Sequence, residues 1–262
     1  MSNELITQNG GVPSLEQFKS GQGAGDASLS DDLLIEKILI MQPQSRPVIK
    51  GVARMGEFRT SVGGMVVGST DKPFDAIIFE SRPIWLIFEG DGKESEWKET
   101  IDRTPINTKL PWQEVVDGVF VERQKAIDYF ALIVDKETES NVPVIIRLKG
   151  TSFKTAQRID TLWRQLKAKG STIANRVLKF SNRQEENEKG VYYVWDFVDD
   201  RAAKPKELEA AYNWFVGLRT ATKSFILDDK EDEKTGPRPI VANPIVVNKA
   251  PEPQPLDDEM PL

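Results

Sequence analysis

The chain has no cysteine and no histidine. The first absence excludes disulfides and a thiol nucleophile, and the second excludes an imidazole general base. Together they exclude a Cys/His zinc site. A magnesium ion held by carboxylates alone stays open. No apolar run approaches the roughly 18 residues that a membrane span needs. The opening MSNELITQNGG has no basic stretch ahead of an apolar core, so no secretory signal is expected. A soluble, cytoplasmic protein follows as the expectation. No internal repeat is present. The phosphate-binding pattern G-x-x-x-x-G-K-[ST] is missing too. Residues 51–70 hold five glycines with Arg54 and Arg59, but Glu57 and Phe58 follow Gly56. That stretch reads as a hairpin with glycine turns.

What is present is a segregated charge. The formal net charge is −6, yet residues 147–183 carry ten basic side chains and a single acid, Asp160. That gives the stretch +9 and leaves −15 for everything else. Such a split marks a polyanion partner more than a folding need.

The 262 residues suffice for one large domain. Residues 1–29 are rich in Gly, Ser, Gln and Asn and read as a flexible segment. Residues 30–223 hold the elements. Residues 224–262 read as an acidic, proline-rich tail. Ser30 or Asp31 is expected to cap a short helix carrying Leu33, Leu34, Ile35, Ile38 and Leu39. Strands are expected over 74–80 and 84–89, broken by Ser81-Arg82-Pro83. Residues 90–127 read as an insertion of mixed charge. Further strands are expected at 129–135 and 142–149. In the latter, Val144, Ile146 and Leu148 share one face and Arg147 and Lys149 the other. An amphipathic helix from Thr151 or Ser152 to Gly170 places Ala156, Ile159, Leu162, Trp163 and Leu166 on one arc. Lys154, Arg158, Arg164 and Lys169 take the other side. Strands at 175–182 and 191–198 and a helix at 204–223 complete the body. The order implies a mainly β protein with helices (α+β): an OB-like β-barrel with a helix before its last strands, and an added C-terminal helix.

Barrels of this kind hold single strands with cations that displace counterions and with rings that stack on bases. The candidate single-stranded DNA contacts are Arg147, Lys149, Lys154, Arg158, Lys179 and Arg183 among the cations. The candidate rings are Trp85, Phe153, Phe180, Tyr192, Tyr193 and Trp195. The expectation is that the strand cations gather into one cleft. If Val191, Tyr193, Trp195 and Phe197 face the interior, Tyr192 is the exposed ring.

The last seven residues, Leu256-Asp257-Asp258-Glu259-Met260-Pro261-Leu262, form an acidic run ending apolar-Pro-apolar. This resembles the C-terminal tip of bacterial single-stranded DNA-binding proteins. Leu262 stands where that family usually has Phe, and Met260 where it usually has Ile. The resemblance implies that Asp257, Asp258, Glu259, Met260, Pro261 and Leu262 recruit replication and repair enzymes.

The body is similar to phage-encoded single-stranded DNA-binding proteins. The likeness is carried by Ile40-Met41-Gln42-Pro43, Thr151-Ser152-Phe153-Lys154 and Lys189-Gly190-Val191-Tyr192-Tyr193-Val194-Trp195-Asp196. It implies an OB-like fold and sequence-tolerant binding during phage replication or recombination, without catalysis, cofactor or metal. Two alternatives stand beside it. Glu89, Asp91 and Lys93 have the E-x-D-x-K spacing of a magnesium nuclease site. A strand-annealing protein would share the basic surface but would oligomerise.

Overall fold

A computed structural model describes residues 14–20, 35–90, 98–102, 108–134, 141–188 and 190–220. Its centre is set by two long apolar-rich strands, β4 (Phe74–Gly90) and β7 (Val119–Val134), paired antiparallel from Ala76↔Ile133 to Gly90↔Phe120. Residues 76–79 of β4 and 129–134 of β7 are continuously apolar, as expected of strands covered on two faces. Around them lie β8 (Asn141–Lys149), β9 (Arg176–Asn187), β10 (Gly190–Ala202), β1 (Lys37–Ile40), β2 (Phe58–Thr60) and β3 (Val66–Gly68). The sheet order is β10-β9-β4-β7-β8-β1-β2-β3. Neighbouring strands pair antiparallel except β1 with β8, which are parallel.

The sheet curls into a half-barrel. Phe58 on β2 and Trp195 on β10, near opposite ends of the strand order, bring their rings within 4.7 Å. The concave side holds Ile38, Phe74, Ile78, Tyr129, Ile146, Leu148, Phe180 and Phe197. The amphipathic helix α3 (Phe153–Ala168) adds Ala156 and Ile159 to that core. Its end is the predicted one. Gly170 takes φ +69° and donates to the Lys167 carbonyl, while Ser171 donates to that of Leu166. That is a Schellman stop, which favours glycine at the left-handed position. Helix α4 (Pro205–Thr220) covers the convex side with Leu208, Ala211, Phe215 and Leu218. This is the mainly β, OB-like architecture with a helix before the last strands and an added C-terminal helix.

Several local expectations are corrected. Ile38 and Leu39 belong to a strand, not a helix. Parallel pairing with β8 on one side and antiparallel pairing with β2 on the other claims their backbone groups. The two expected strands at 74–89 are one. Pro83 sits between the residues that β9 pairs (Phe74–Ala76) and those that β5 (Lys98–Asp102) pairs (Trp85–Glu89), so its missing N–H breaks no ladder on that edge. The 90–127 insertion holds strands. Beyond the barrel, β4 and β7 continue as an arm flanked by β5 and by β6 (Gln113–Val116), with a two-residue Asp117-Gly118 turn joining β6 to β7. Within the segment expected to be flexible, α1 (Leu15–Lys19) is a capped turn whose Phe18 is buried against Tyr212 and Phe215. The remaining short helix, α2 (Arg46–Ile49), follows β1.

Candidate nucleic-acid interface

The expected cleft does not form from the strand cations. Alternation places Arg147 opposite Val144, Ile146 and Leu148, as read, but α4 also packs on that side of the sheet. Arg147 is 8% exposed. Its Nε donates to Asp128 Oδ1 at 2.7 Å and its Nη2 to Oδ2 at 3.0 Å. Arg82 adds a third bond to Asp128 at 3.3 Å. Burial pushes the Asp128 carboxyl up, but the charges and hydrogen bonds of Arg147, with Arg82 and Lys37 nearby, pull it further down, so it ends below the usual value. Unpaired charges stay outside; this one is paired, and the partner lies across the ladder where one-strand periodicity cannot show it.

Lys149 projects over the Phe88 ring at 5.5 Å, at the root of the arm. Lys179 bonds Asp200 at 2.8 Å and Arg183 bonds Glu185 at 2.9 Å. Arg176, also on β9, bonds Asp199 at 2.6 Å. Strands β8 and β9 are separated by β4 and β7, a span of about 14 Å at ordinary strand spacing. The four strand cations therefore do not line one cleft.

The rings divide. Phe180 is fully buried, and Trp85 and Trp195 are each 5% exposed. None of the three offers a face to a base. Phe180 and Trp195 meet edge-to-face inside the barrel, and the Lys125 ammonium covers Trp85 at 4.9 Å. Phe153 is half-buried against the same interior. Tyr192 is half-buried and its hydroxyl donates to Glu185, which holds the phenol above its usual pKa. Tyr193 is half-buried at the barrel rim.

The three stretches that carry the family likeness converge on one line, the outer edge of β10. Gln42 donates through Nε2 to the Tyr193 carbonyl and accepts the Tyr193 N–H on Oε1. Ser152 Oγ accepts the Trp195 N–H, and Thr155 Oγ1 donates to the Trp195 carbonyl at 2.6 Å. Arg158 donates to the Phe197 carbonyl at 3.2 Å and pairs with Asp196. A bare strand edge would display these backbone groups to any other chain. Here side chains occupy that edge in place of a neighbouring strand. Sequence reading missed Gln42, Ser152 and Thr155 as a set, although Gln42 and Ser152 stood inside the quoted stretches.

Along this seam α3 and β10 border an open groove of about 680 Å³. Lys154, Gln157, Arg158, Thr161, Leu162 and Gln165 line it from the helix, and Phe197, Val198 and Asp199 from the strand. Lys154, Arg164 and Lys169 are exposed on the same side of the helix. Burial lifts the single acid, Asp160, whose carboxylate accepts from Tyr129 at 2.8 Å beneath the helix. The exposed side of α3 is thus cationic, with amides and a hydroxyl between the charges.

Residues 7–217 match the Pam3 phage gp34-like protein family. The chain belongs to that family. Comparison with curated proteins and with solved structures returns no match. The matched span of this gp34-like chain takes in the half-barrel, its seam, the arm and most of α4. The tail residues Asp257 to Leu262 lie outside both the match and the described residues, as do Asp91 and Lys93 outside the latter. Glu89, the first member of the E-x-D-x-K spacing, is exposed near the end of β4. Among the described residues no helix is long and apolar enough to cross a membrane.

Proposed function

We propose that this gp34-like protein is a sequence-independent, non-enzymatic binder of single-stranded DNA in the host cytoplasm, serving phage replication or recombination. The observation that carries the reading is the seam groove. One exposed helix lines it with Lys154 and with Arg158, which also pairs with Asp196, and carries Arg164 and Lys169 outside the lining, in a chain whose net charge is −6. Spaced cations of this kind track a phosphate backbone. The amides and hydroxyl of Gln157, Thr161 and Gln165 suit sugar and base edges without selecting a sequence. The half-barrel is an architecture that supports such binding, though many other functions use it as well. In this reading the acidic tip from Asp257 to Leu262 recruits partner enzymes on a long tether.

Titration with oligo-dT, a matched duplex and a poly-rU control tests the proposal. The expected result is tight oligo-dT binding, weak duplex binding and an affinity that falls steeply with salt. Salt-independent or duplex-preferring binding overturns it. Intact labelled DNA after incubation with Mg²⁺ separates it from the nuclease alternative.

A further inference from the structure

The segment after β1 is the most exposed apolar stretch of the barrel end. Ile49 is 66% exposed, Val52 64% and Met55 51%. Three cations alternate with them: Arg46, Lys50 and Arg54, all exposed. No acid occurs between Glu36 and Glu57. Glu57 itself is committed, with its carboxylate bonded to Arg59 at 2.9 Å and to the Arg54 N–H at 3.1 Å.

Both feet of this loop are fixed. Met41 and Glu57 bond across its base, and Gly56 donates to the Met41 carbonyl. Gln42 holds the Tyr193 backbone, and Asn182 holds the Gly56 carbonyl at 2.6 Å. Gly56 has φ +76°, and a Cβ there would lie 3.0 Å from the Tyr193 ring. The tip therefore stands free on a base that touches the half-buried Tyr193. Three exposed large apolar groups gain nothing from the core, and three cations close together repel one another, with the Glu57 carboxylate near Arg54 to offset them in part. A ligand that repays both must be anionic at short intervals and apolar between the charges.

We infer that the 46–55 loop is a second contact for the same strand, with Ile49, Val52 and Met55 set against unstacked bases while Arg46, Lys50 and Arg54 hold the flanking phosphates. Apolar side chains wedged between base steps are a known physical device for opening a stack. The pinned base keeps the wedge beside the Tyr193 ring. This inference rests on the single-strand reading and adds a site to it.

The test compares the full chain with I49S/V52S/M55S and with R46A/K50A/R54A. All six side chains are exposed, so both variants are expected to melt at the wild-type temperature. Oligo-dT affinity is read across a salt series, and opening of a short hairpin is read with 2-aminopurine in its stem. The apolar variant is expected to bind about tenfold more weakly with an unchanged salt slope, and to lose hairpin opening. The cation variant is expected to lose about two units of slope, at about 0.7 per phosphate. Wild-type affinity and hairpin opening in the apolar variant overturn the loop inference while leaving the single-strand reading intact. No oligo-dT binding by the wild type overturns the reading itself. Sedimentation of the wild type, but not of the apolar variant, with phosphatidylglycerol vesicles in preference to oligo-dT assigns the loop to a membrane surface and overturns the inference.

Discussion

The side-chain amide of Gln42 hydrogen-bonds both backbone groups of Tyr193, donating to its carbonyl at 2.8 Å and accepting its N–H at 2.9 Å. The two residues are 151 positions apart. One amide thus does what a paired strand residue would do, and it joins the segment after β1 to β10 across the open side of the half-barrel.

Gln42→Ala removes both bonds and is expected to cost about 1–3 kcal/mol. Gln42→Glu keeps the acceptor but turns an oxygen towards the Tyr193 carbonyl, so it should cost at least as much. Urea denaturation measures both. Hydrogen exchange at the Tyr193 and Trp195 amides should speed up before global unfolding. A wild-type midpoint and unchanged exchange in Gln42→Ala would show that the seam does not depend on this bond.

Asp128 should behave as a buried structural anion. Asp128→Ala leaves Arg147 buried without its bidentate partner, and about 3–5 kcal/mol of stability is expected to go. Arg147→Ala should act in the same direction, with any loss of DNA affinity following loss of fold. Chemical denaturation of each variant, beside binding by the folded fraction, checks this.

The same carboxylate sets an acid limit. Arg147 and its neighbours hold Asp128 below its ordinary 3.8, and Glu57 sits below its ordinary 4.5. The folded state therefore takes up these protons less readily than the unfolded chain. The stability they contribute is fully present above their ordinary values of 3.8 and 4.5 and is lost as pH falls through the depressed folded values. Asp160, raised by burial, works in the opposite direction. Asp160→Asn keeps an acceptor for Tyr129 and should leave neutral-pH stability equal or higher. Denaturation midpoints between pH 3 and 7 measure both signs.

Cations on the two sides of β10 should differ in binding. Lys154→Ala, Arg164→Ala and Lys169→Ala combined are expected to flatten the salt dependence of oligo-dT binding by about two units. Lys179→Ala, whose ammonium already bonds Asp200, should change it little. Equal effects from the two sets would remove the groove as the binding site.

Two rings two residues apart make a further contrast. Tyr193→Ala is expected to weaken oligo-dT binding by about 1–3 kcal/mol while the protein stays folded. Trp195→Ala empties the barrel interior and should cost about 3–5 kcal/mol of stability. Deleting Asp257 to Leu262 should leave DNA affinity equal or higher.

Much of the architecture was readable because periodicity reports burial. Val144, Ile146 and Leu148 alternate into the interior, and α3 turns its apolar arc inward and stops at Gly170. Ile38 and Leu39 misled because strands covered on both faces lose their alternation, while the start expected for that helix, Ser30 to Leu34, lies outside the described residues. Pro83 misled because a proline is tolerated where β4 has no second neighbour. The stretches shared with the phage proteins were visible as a signature, and their side chains at Gln42 and Ser152, with Thr155 just beyond, hold a strand edge. Family resemblance therefore led to that edge more directly than to ligand contacts. The fate of Arg147 depended on Asp128, and no local pattern links residues on neighbouring strands.

The interval of β4 from Ile77 to Ile84 has consequences beyond the ladder. It carries a register irregularity between Ile78 and Glu80, then Pro83, and on one side it lies between the stretches joined to β9 and to β5. The ladder holds this interval through β7 alone among the described strands, so it resists bending less than the stretches paired on both edges, although Glu80 is bonded to Arg219 of α4 at 2.9 Å. The interval is a fulcrum, and the arm with exposed Val115 and Val119 near its far end is the lever. Any rotation at Pro83 would be amplified along the arm, and the tip would move furthest.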